Sequence, residues 1–312
     1  MRRPVDYMLI YLKGLSMGAA DVIPGVSGGT VALITGIYTE LINSIKSIDM
    51  DAARLIRQVR FAEFWRKING NFLATLLAGI LTSLLVLAGV MNYLLKNEPI
   101  LIWSFFFGLI LISAPLVMRE IKIKKPGIII SFILGVAIAY LITELTPTES
   151  PDALWFIFFA GMLAICAMIL PGISGAFILL LLGKYQFMVN ALLELNVLII
   201  FVFALGCVVG ILSFSRLLSW ILLHYHGVTV ALLAGFMLGS LNKVWPWRQV
   251  LEYQTSASGE QISVFDKSVL PWDYLNLTGK DPQLFQAMVM MALGVLIVVS
   301  IDKIATRIKT KI

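Results

Sequence analysis

The sequence has 312 residues, of which 59% are hydrophobic and only 13% are charged, and its mean hydropathy is +0.92. Soluble domains carry about 25% charged residues, so this composition excludes a soluble protein, and we expect no nucleic-acid partner despite the net charge of +6. Many apolar stretches are long enough to cross a hydrocarbon layer of about 30 Å. The alternating ten-residue strands of a membrane barrel are absent. The chain is therefore predicted to be an all-α polytopic membrane protein.

The distribution of Lys and Arg predicts how the chain is oriented. Four basic clusters lie at 2–3, 46–67, 119–125 and 303–311. By contrast, the long segment 244–284 carries five acids against three bases. The positive-inside rule then places both termini and the segments 46–70 and 119–126 in the cytoplasm, with 96–99, 143–153 and 244–284 outside.

Apolar segments that fit this orientation are predicted to form two repeats, 1–145 and 153–302. The six predicted spans are 72–95, 100–118, 127–145, 198–222, 227–243 and 285–302. Two further segments, 5–45 and 153–194, must each enter and leave on the same side, so we expect two helical hairpins that enter from opposite faces. A basic connector (46–70) follows the first hairpin, and the second repeat contains an extracytoplasmic loop (244–284).

The two hairpins also match in sequence. Residues 20–43 align without a gap on 167–190, with nine identities in 24 positions and an offset of 147. Farther along the offset is 127, so that Gly79 falls on Gly206 and Gly108 on Gly235. Two such copies entering from opposite faces would have inverted topology. This arrangement is typical of secondary transporters, whose sites lie near the midplane of the membrane.

Each hairpin is interrupted by a Pro- and Gly-rich stretch, "PGVSGG" at 24–29 and "PGISGA" at 171–176. We call these stretches the first and the second break. Non-helical backbone at membrane depth must be buried in protein or line a cavity, although each motif on its own is also compatible with a packing kink. The hairpin arms are short for full spans, which favours re-entrant hairpins.

A new helix predicted to begin near Thr30 would present unpaired N–H groups, which favour an anion such as phosphate. Ser27 and Thr30 would add hydroxyl donors or cap the helix instead. The predicted phosphate-binding residues are Gly25, Ser27, Gly28, Gly29, Thr30, Gly172, Ser174, Gly175 and Arg216.

Four ionisable residues inside apolar segments are further candidates, because charges at membrane depth are functional by default. Asp21 and Glu40 are predicted ligands for a coupling cation, either H⁺ or Na⁺. Arg216 is predicted to oppose the phosphate charge, with snorkelling to the interface as the alternative. Lys184, like Glu40, would otherwise lie at the mouth of its hairpin.

The residues around both breaks resemble those of a known bacterial family. "MGAADVIPGVSGGTVALITGIYTELINSI" (17–45) and "ILPGISGAFILLLLGKYQ" (169–186) are similar to the polyprenyl-phosphate transporter family, and the resemblance extends over nearly the whole chain. It implies a flippase that returns undecaprenyl phosphate, the lipid carrier of cell-envelope and peptidoglycan synthesis, across the cytoplasmic (inner) membrane for recycling. The partners it implies are polyprenyl-phosphate and membrane lipids, and the oligomeric state stays open.

Two other functions compete with this one. A transporter of a small soluble anion would use the same fold and site. A membrane phosphatase acting on a lipid phosphate would need clustered His, Asp and Arg or a metal-binding pair of carboxylates. The chain has only His224 and His226, both in one short turn, so we predict no catalytic residues, no metal site and no bound cofactor.

Overall fold

The structure, a computed structural model, describes residues 2–22, 26–119, 121, 125–148, 150–255 and 261–309. The first half comprises α1 (Pro4–Asp21), α2 (Gly28–Ile34), α3 (Tyr38–Lys46), α4 (Met50–Arg57), α5 (Phe61–Lys67), α6 (Gly70–Asn97), α7 (Pro99–Arg119) and α8 (Pro126–Glu144). The second half comprises α9 (Leu154–Ile169), α10 (Gly175–Leu181), α11 (Tyr185–Leu193), α12 (Val197–His224), α13 (His226–Gly239) with a 3-10 turn (Ser240–Asn242), β1 (Arg248–Thr255), β2 (Gln261–Ser268), α14 (Pro271–Thr278) and α15 (Leu284–Lys309).

Six helices begin within two residues of the six predicted spans: α6, α7, α8, α12, α13 and α15. Four of them, α6, α7, α8 and α12, are long and apolar enough to cross a membrane, whereas α13 and α15 have shorter apolar stretches. Large apolar side chains cover their outer surfaces; Leu85, for example, is 84% exposed. Such surfaces are unfavourable in water and favourable against lipid. The chain is a multi-pass membrane protein.

The helix bounds repeat along the chain. The pairs α2 and α10, and α3 and α11, are related by an offset of 147 at both ends, and α6 and α12 by an offset of 127. The packing repeats too. A Cβ on Gly14 of α1 would strike the Leu76 carbonyl of α6, and a Cβ on Gly161 of α9 would strike the Phe203 carbonyl of α12. The predicted inverted relation between the two copies stays a proposal.

The second arm of each hairpin differs from the single helix that the sequence predicts. In each copy it is two short helices, separated at Gly36 in the first and at Gly183 in the second, and the axes of α10 and α11 differ by 108°. Both glycines have positive φ, +73° and +63°, a conformation that commonly ends a helix.

The loop 244–284 contains an antiparallel pair, β1 and β2, in which Arg248 is opposite Ser268. The all-α prediction is therefore wrong in this loop. Its "RQVLEYQT" and "QISVFDKS" segments carry the β-branched and aromatic residues that favour strands. The connector, for which no structure was predicted, forms α4 and α5.

Polar contacts between distant segments cluster at two ends of the protein. At one end, which we call the connector end, Arg2 pairs with Glu40, and Arg216 donates to the Ile48 carbonyl. At the other, which we call the loop end, Asn242 donates to Glu144 and Trp247 to the Pro282 carbonyl. Each of these contacts joins segments that the charge distribution predicts to lie on one side of the membrane.

Candidate functional site

The two breaks, 147 residues apart along the chain, meet inside the protein. The Ser27 hydroxyl donates to the Met168 carbonyl at 2.9 Å, and the Gly172 amide donates to the Thr30 hydroxyl at 2.9 Å. Ser27 is 1% exposed and Thr30 is fully buried. A polar junction of this kind is the arrangement that a site shared by the two hairpins requires.

Two glycines allow this close approach. A Cβ on Gly29 would lie closer than 3.0 Å to the Ile169 carbonyl oxygen, so only a hydrogen atom fits between the first break and the end of α9. Gly172 has a φ of +86°, and a Cβ there would lie 2.7 Å from the Phe236 carbonyl oxygen. Backbone therefore packs directly on backbone at both breaks.

The amides at the start of α2 are bound by the protein's own groups. Asp21 Oδ1 accepts a hydrogen bond from the Gly28 amide at 2.7 Å, and Ser27 Oγ accepts from the Gly29 amide at 3.1 Å. The Thr30 amide donates to the Ser27 carbonyl at 2.9 Å. A carboxylate is stabilised at a helix N-terminus for the same electrostatic reason as a phosphate. In this conformation Asp21 occupies the position that we predicted for the substrate anion.

The second break differs from the first. Ser174 precedes α10 as Ser27 precedes α2, but within the described chain its side chain makes no capping hydrogen bond. The residue that aligns with Asp21 is Met168, which has no carboxylate. Ser174 also lines a small cavity of about 10 Å³ together with Gly172 and Lys243. The second break therefore leaves a hydroxyl beside a cavity.

The other predicted ligands lie elsewhere or outside the described residues. Pro24 and Gly25 fall outside the described residues. The Glu40 carboxylate accepts from Arg2 at 2.5 Å and from Asn69 at 2.7 Å, at the connector end. Exposed Arg216 donates to the Leu212 carbonyl at 2.9 Å and to the Ile48 carbonyl at 3.0 Å. The structure does not bring Glu40 and Arg216 together with the breaks.

Lys184 is buried at the mouth of the second hairpin, at the loop end. It is 2% exposed, and its ammonium group pairs with Asp152 Oδ1 at 2.5 Å and donates to the Ser150 carbonyl. The rings of Phe156 and Phe187 lie beside it. A buried ammonium group with such partners is electrostatically compensated, so we assign Lys184 to the structure of the hairpin mouth.

Sequence reasoning missed a charged cluster at the loop end. Asp266 Oδ1 accepts from Lys243 at 3.0 Å and from Arg248 at 2.9 Å. Burial raises the pKa of Asp266, but the hydrogen bond from Arg248 and the charge of Lys243 outweigh it and hold the pKa below its ordinary value. Only the pairing of β1 with β2 brings these residues together, and no local sequence signal reveals it.

Comparisons with known proteins agree with the resemblance seen at the breaks. A family model described as undecaprenyl phosphate translocase-like matches residues 17–262. A polyprenyl-phosphate transporter of Vibrio cholerae is 44% identical over 305 residues, which cover 98% of this chain and 99% of that protein. A polyprenyl-phosphate transporter of Staphylococcus aureus is 34% identical over 253 residues, 75% of this chain and 85% of that protein. No solved structure matches. The chain belongs to the undecaprenyl phosphate translocase-like family of polyprenyl-phosphate transporters.

Proposed function

We propose that the protein is a polyprenyl-phosphate transporter that flips the headgroup of undecaprenyl phosphate from the outer to the inner leaflet of the bacterial cytoplasmic membrane. The names of its relatives support the substrate class. The observation that carries the mechanism is the meeting of the two breaks, in which Ser27 and Thr30 bind the backbone of the second hairpin. Returning the headgroup to the inner face recycles the carrier for peptidoglycan and other envelope polymers.

The isoprenoid tail can remain in lipid throughout, so the protein has to shelter only the phosphate. Moving an unshielded charge into hydrocarbon costs tens of kcal/mol by Born estimates. Backbone N–H groups and hydroxyls at the breaks offset that cost, since broken helices bury polar backbone at membrane depth. We place the headgroup at the second break first, where Ser174 and Gly175 are not capped by a carboxylate.

Asp21 is the proposed coupling residue. An inside-negative potential opposes inward movement of an anion by about 2.3 kcal/mol per charge per 100 mV, and a cation that moves with the phosphate offsets this. Binding of H⁺ or Na⁺ to the Asp21 carboxylate would weaken its bond to the Gly28 amide and open the first break to the headgroup. Glu40, already paired with Arg2, is the second candidate.

Rocking of one repeat against the other would expose the breaks to each face in turn, as in transporters with inverted repeats. Both termini lie in the cytoplasm in this proposal. Arg216, at the connector end, would meet the phosphate on the cytoplasmic side.

Headgroup flipping by the purified protein in liposomes tests the proposal. We expect Ser174→Ala to slow flipping by at least about tenfold, because a hydrogen bond to a charged group contributes about 1.5–3 kcal/mol. Ser213→Ala is the matched control. It removes a hydroxyl from an exposed position of α12, where Ser213 bonds only within its own helix among the described residues. Equal rates in Ser174→Ala and wild type would contradict the proposed headgroup position.

The same liposomes test coupling and the competing function. Asp21→Asn keeps an acceptor for the Gly28 amide but loses the charge, so flipping should no longer respond to a gradient of H⁺ or Na⁺. An unchanged response would remove Asp21 from the mechanism. Movement of inorganic phosphate or sulfate in place of the lipid would instead identify a transporter of soluble anions.

A further inference from the structure

A cavity of about 600 Å³ lies at the loop end and reaches Ala176, the last residue of the second break. Its volume is in the range of pockets that hold small ligands, about 300–1,000 Å³. Apolar walls come from α7, α10 and α14 and include Ile100, Trp103, Phe177 and Tyr274. The charged residues that line it are Lys243, Arg248, Asp266 and Lys280.

These residues leave an excess of positive charge. Asp266 is shared by Lys243 and Arg248, whose side chains are only 15% and 10% exposed. Exposed Lys280 adds a third cation. The negative charge of Glu144, which accepts from Asn242 at 2.7 Å, also stabilises the charged form of Lys243. The three cations therefore face two carboxylates, Asp266 and Glu144, and one positive charge remains uncompensated. Charges that are partly removed from water gain most from a bound counter-ion, so the cavity is suited to an anion.

Lys243 also connects the cavity to the second break. Lys243 and Phe177 line both the large cavity and the small one that touches Gly172 and Ser174. The Lys243 ammonium nitrogen lies 4.9 Å from the centre of the Phe177 ring. An anion held by Lys243 would therefore be separated from the Ser174 hydroxyl by little more than one aromatic side chain.

The cluster belongs to one copy only. At the offset of 127, Lys243 aligns with Leu116, an apolar residue of α7. A charged cluster that belongs to the second copy distinguishes the two faces of a protein built from two similar halves. This is what a transporter needs if its substrate arrives from one side.

We propose that the cavity is a capture site, in which Lys243 and Lys280 hold a phosphomonoester while the apolar walls contact the first units of its hydrocarbon chain. The inference rests on the proposed function, because it takes the captured group to be the one that then passes Phe177 to the second break. Arg248 contributes positive charge rather than direct contacts, because its terminal N–H groups already donate to Asn242, Asp266 and Ser268.

Equilibrium binding of farnesyl phosphate to the purified full-length protein tests the capture site. We expect Lys243→Gln to weaken binding about tenfold, which corresponds to about 1.4 kcal/mol, because the remaining Arg248–Asp266 pair is neutral. Lys267→Gln is the matched control. It removes the same charge from the next residue of β2, whose side chain is exposed and points to the opposite face of the strand, so binding should stay within about twofold.

Lys280→Gln is a second variant that tests the site if Lys243→Gln does not fold. Lys280 is exposed at the cavity, so its substitution should leave folding intact. We expect it to weaken farnesyl phosphate binding about threefold. Unchanged binding in Lys280→Gln and in any folded Lys243→Gln protein, or equal weakening in Lys267→Gln, would overturn the capture site. Inorganic phosphate should bind more weakly than farnesyl phosphate; equal affinity would assign the cavity to free phosphate and overturn the lipid part of the inference.

The flipping assay separates this inference from the proposed function. If farnesyl phosphate binding depends on Lys243 but the wild-type protein flips no lipid, the capture site stands and the transport proposal fails. If Lys243→Gln binds and flips as the wild type does, transport stands and the capture site fails.

Discussion

At Gly29 a single hydrogen atom determines how closely the two hairpins approach. A side chain there would collide with the Ile169 carbonyl, and the collision partner is backbone, which cannot rotate away. Gly29→Ala should therefore destabilise the protein by about 1–3 kcal/mol, the usual cost of overpacking. Thermal unfolding of the purified protein measures this loss.

Gly89→Ala is the matched control for that substitution. Gly89 lies within α6, and a Cβ there would meet nothing within 4 Å. Alanine is favoured over glycine in a helix by about 1 kcal/mol, so this variant should unfold at the same temperature as the wild type or higher. A Gly29→Ala protein as stable as Gly89→Ala would mean that the two breaks do not touch.

The residues of the first break could be predicted from the sequence only in part. Glycine, serine and threonine after a proline indicate an interrupted helix with orphan amides, and Ser27 could be foreseen as donor or cap. That Asp21 would reach the Gly28 amide could not, because no sequence rule sets the path of the chain between the end of α1 and the start of α2. The hydrogen bond from Arg216 to the Ile48 carbonyl could not be predicted either, because it depends on the path of the chain after α3.

The hairpin of β1 and β2 is held to the loop end by Asp266. Because its neighbours lower the pKa of Asp266 in the folded protein, its contribution to stability is fully present above the ordinary pKa of 3.8 and is lost as the pH falls through the folded value. At pH 7 we expect Asp266→Asn to reduce the protection of β1 and β2 amides against hydrogen exchange by at least about tenfold, since a hydrogen bond to a charged group contributes about 1.5–3 kcal/mol.

Protection should be corrected for the intrinsic exchange rate at each pH. The difference between Asp266→Asn and wild type should then shrink as the pH falls below 3.8. Asp273→Asn, an exposed acid of α14, should behave as the wild type throughout. A difference between Asp266→Asn and wild type that persists unchanged in acid would show that the carboxylate charge does not hold the hairpin.

Elements differ in how well the sequence predicts them, and the reason is physical. Long apolar helices can be predicted from the length of the apolar run, and α6 and α12 begin within two residues of the predicted spans. The separation of α2 from α3 at Gly36, and of α10 from α11 at Gly183, cannot be predicted in this way, because one glycine in an apolar run is tolerated within a helix. Strand pairing is non-local, so the contact between Arg248 and Asp266 was beyond prediction.

At the scale of the whole molecule, we propose that the connector end and the loop end face opposite sides of the membrane. In a protein whose Cys166 and Cys207 are replaced by serine, we expect Asp273→Cys to react with a membrane-impermeant maleimide in intact cells. Asp51→Cys should react only after the inner membrane is opened. Both positions are exposed, so access decides the outcome. Labelling of both positions in intact cells would contradict the proposed orientation.

In the proposed mechanism, Asp21 competes with the headgroup for the Gly28 amide, to which its carboxylate is bound. A headgroup that uses this amide must displace the carboxylate, so occupancy by one excludes the other. The apparent affinity of the first break for an anion is then its intrinsic affinity reduced by the fraction of time for which the bond is open. Any event that draws Asp21 away, such as the arrival of a cation, tightens anion binding by the same arithmetic, and an anion bound there must in turn favour the cation.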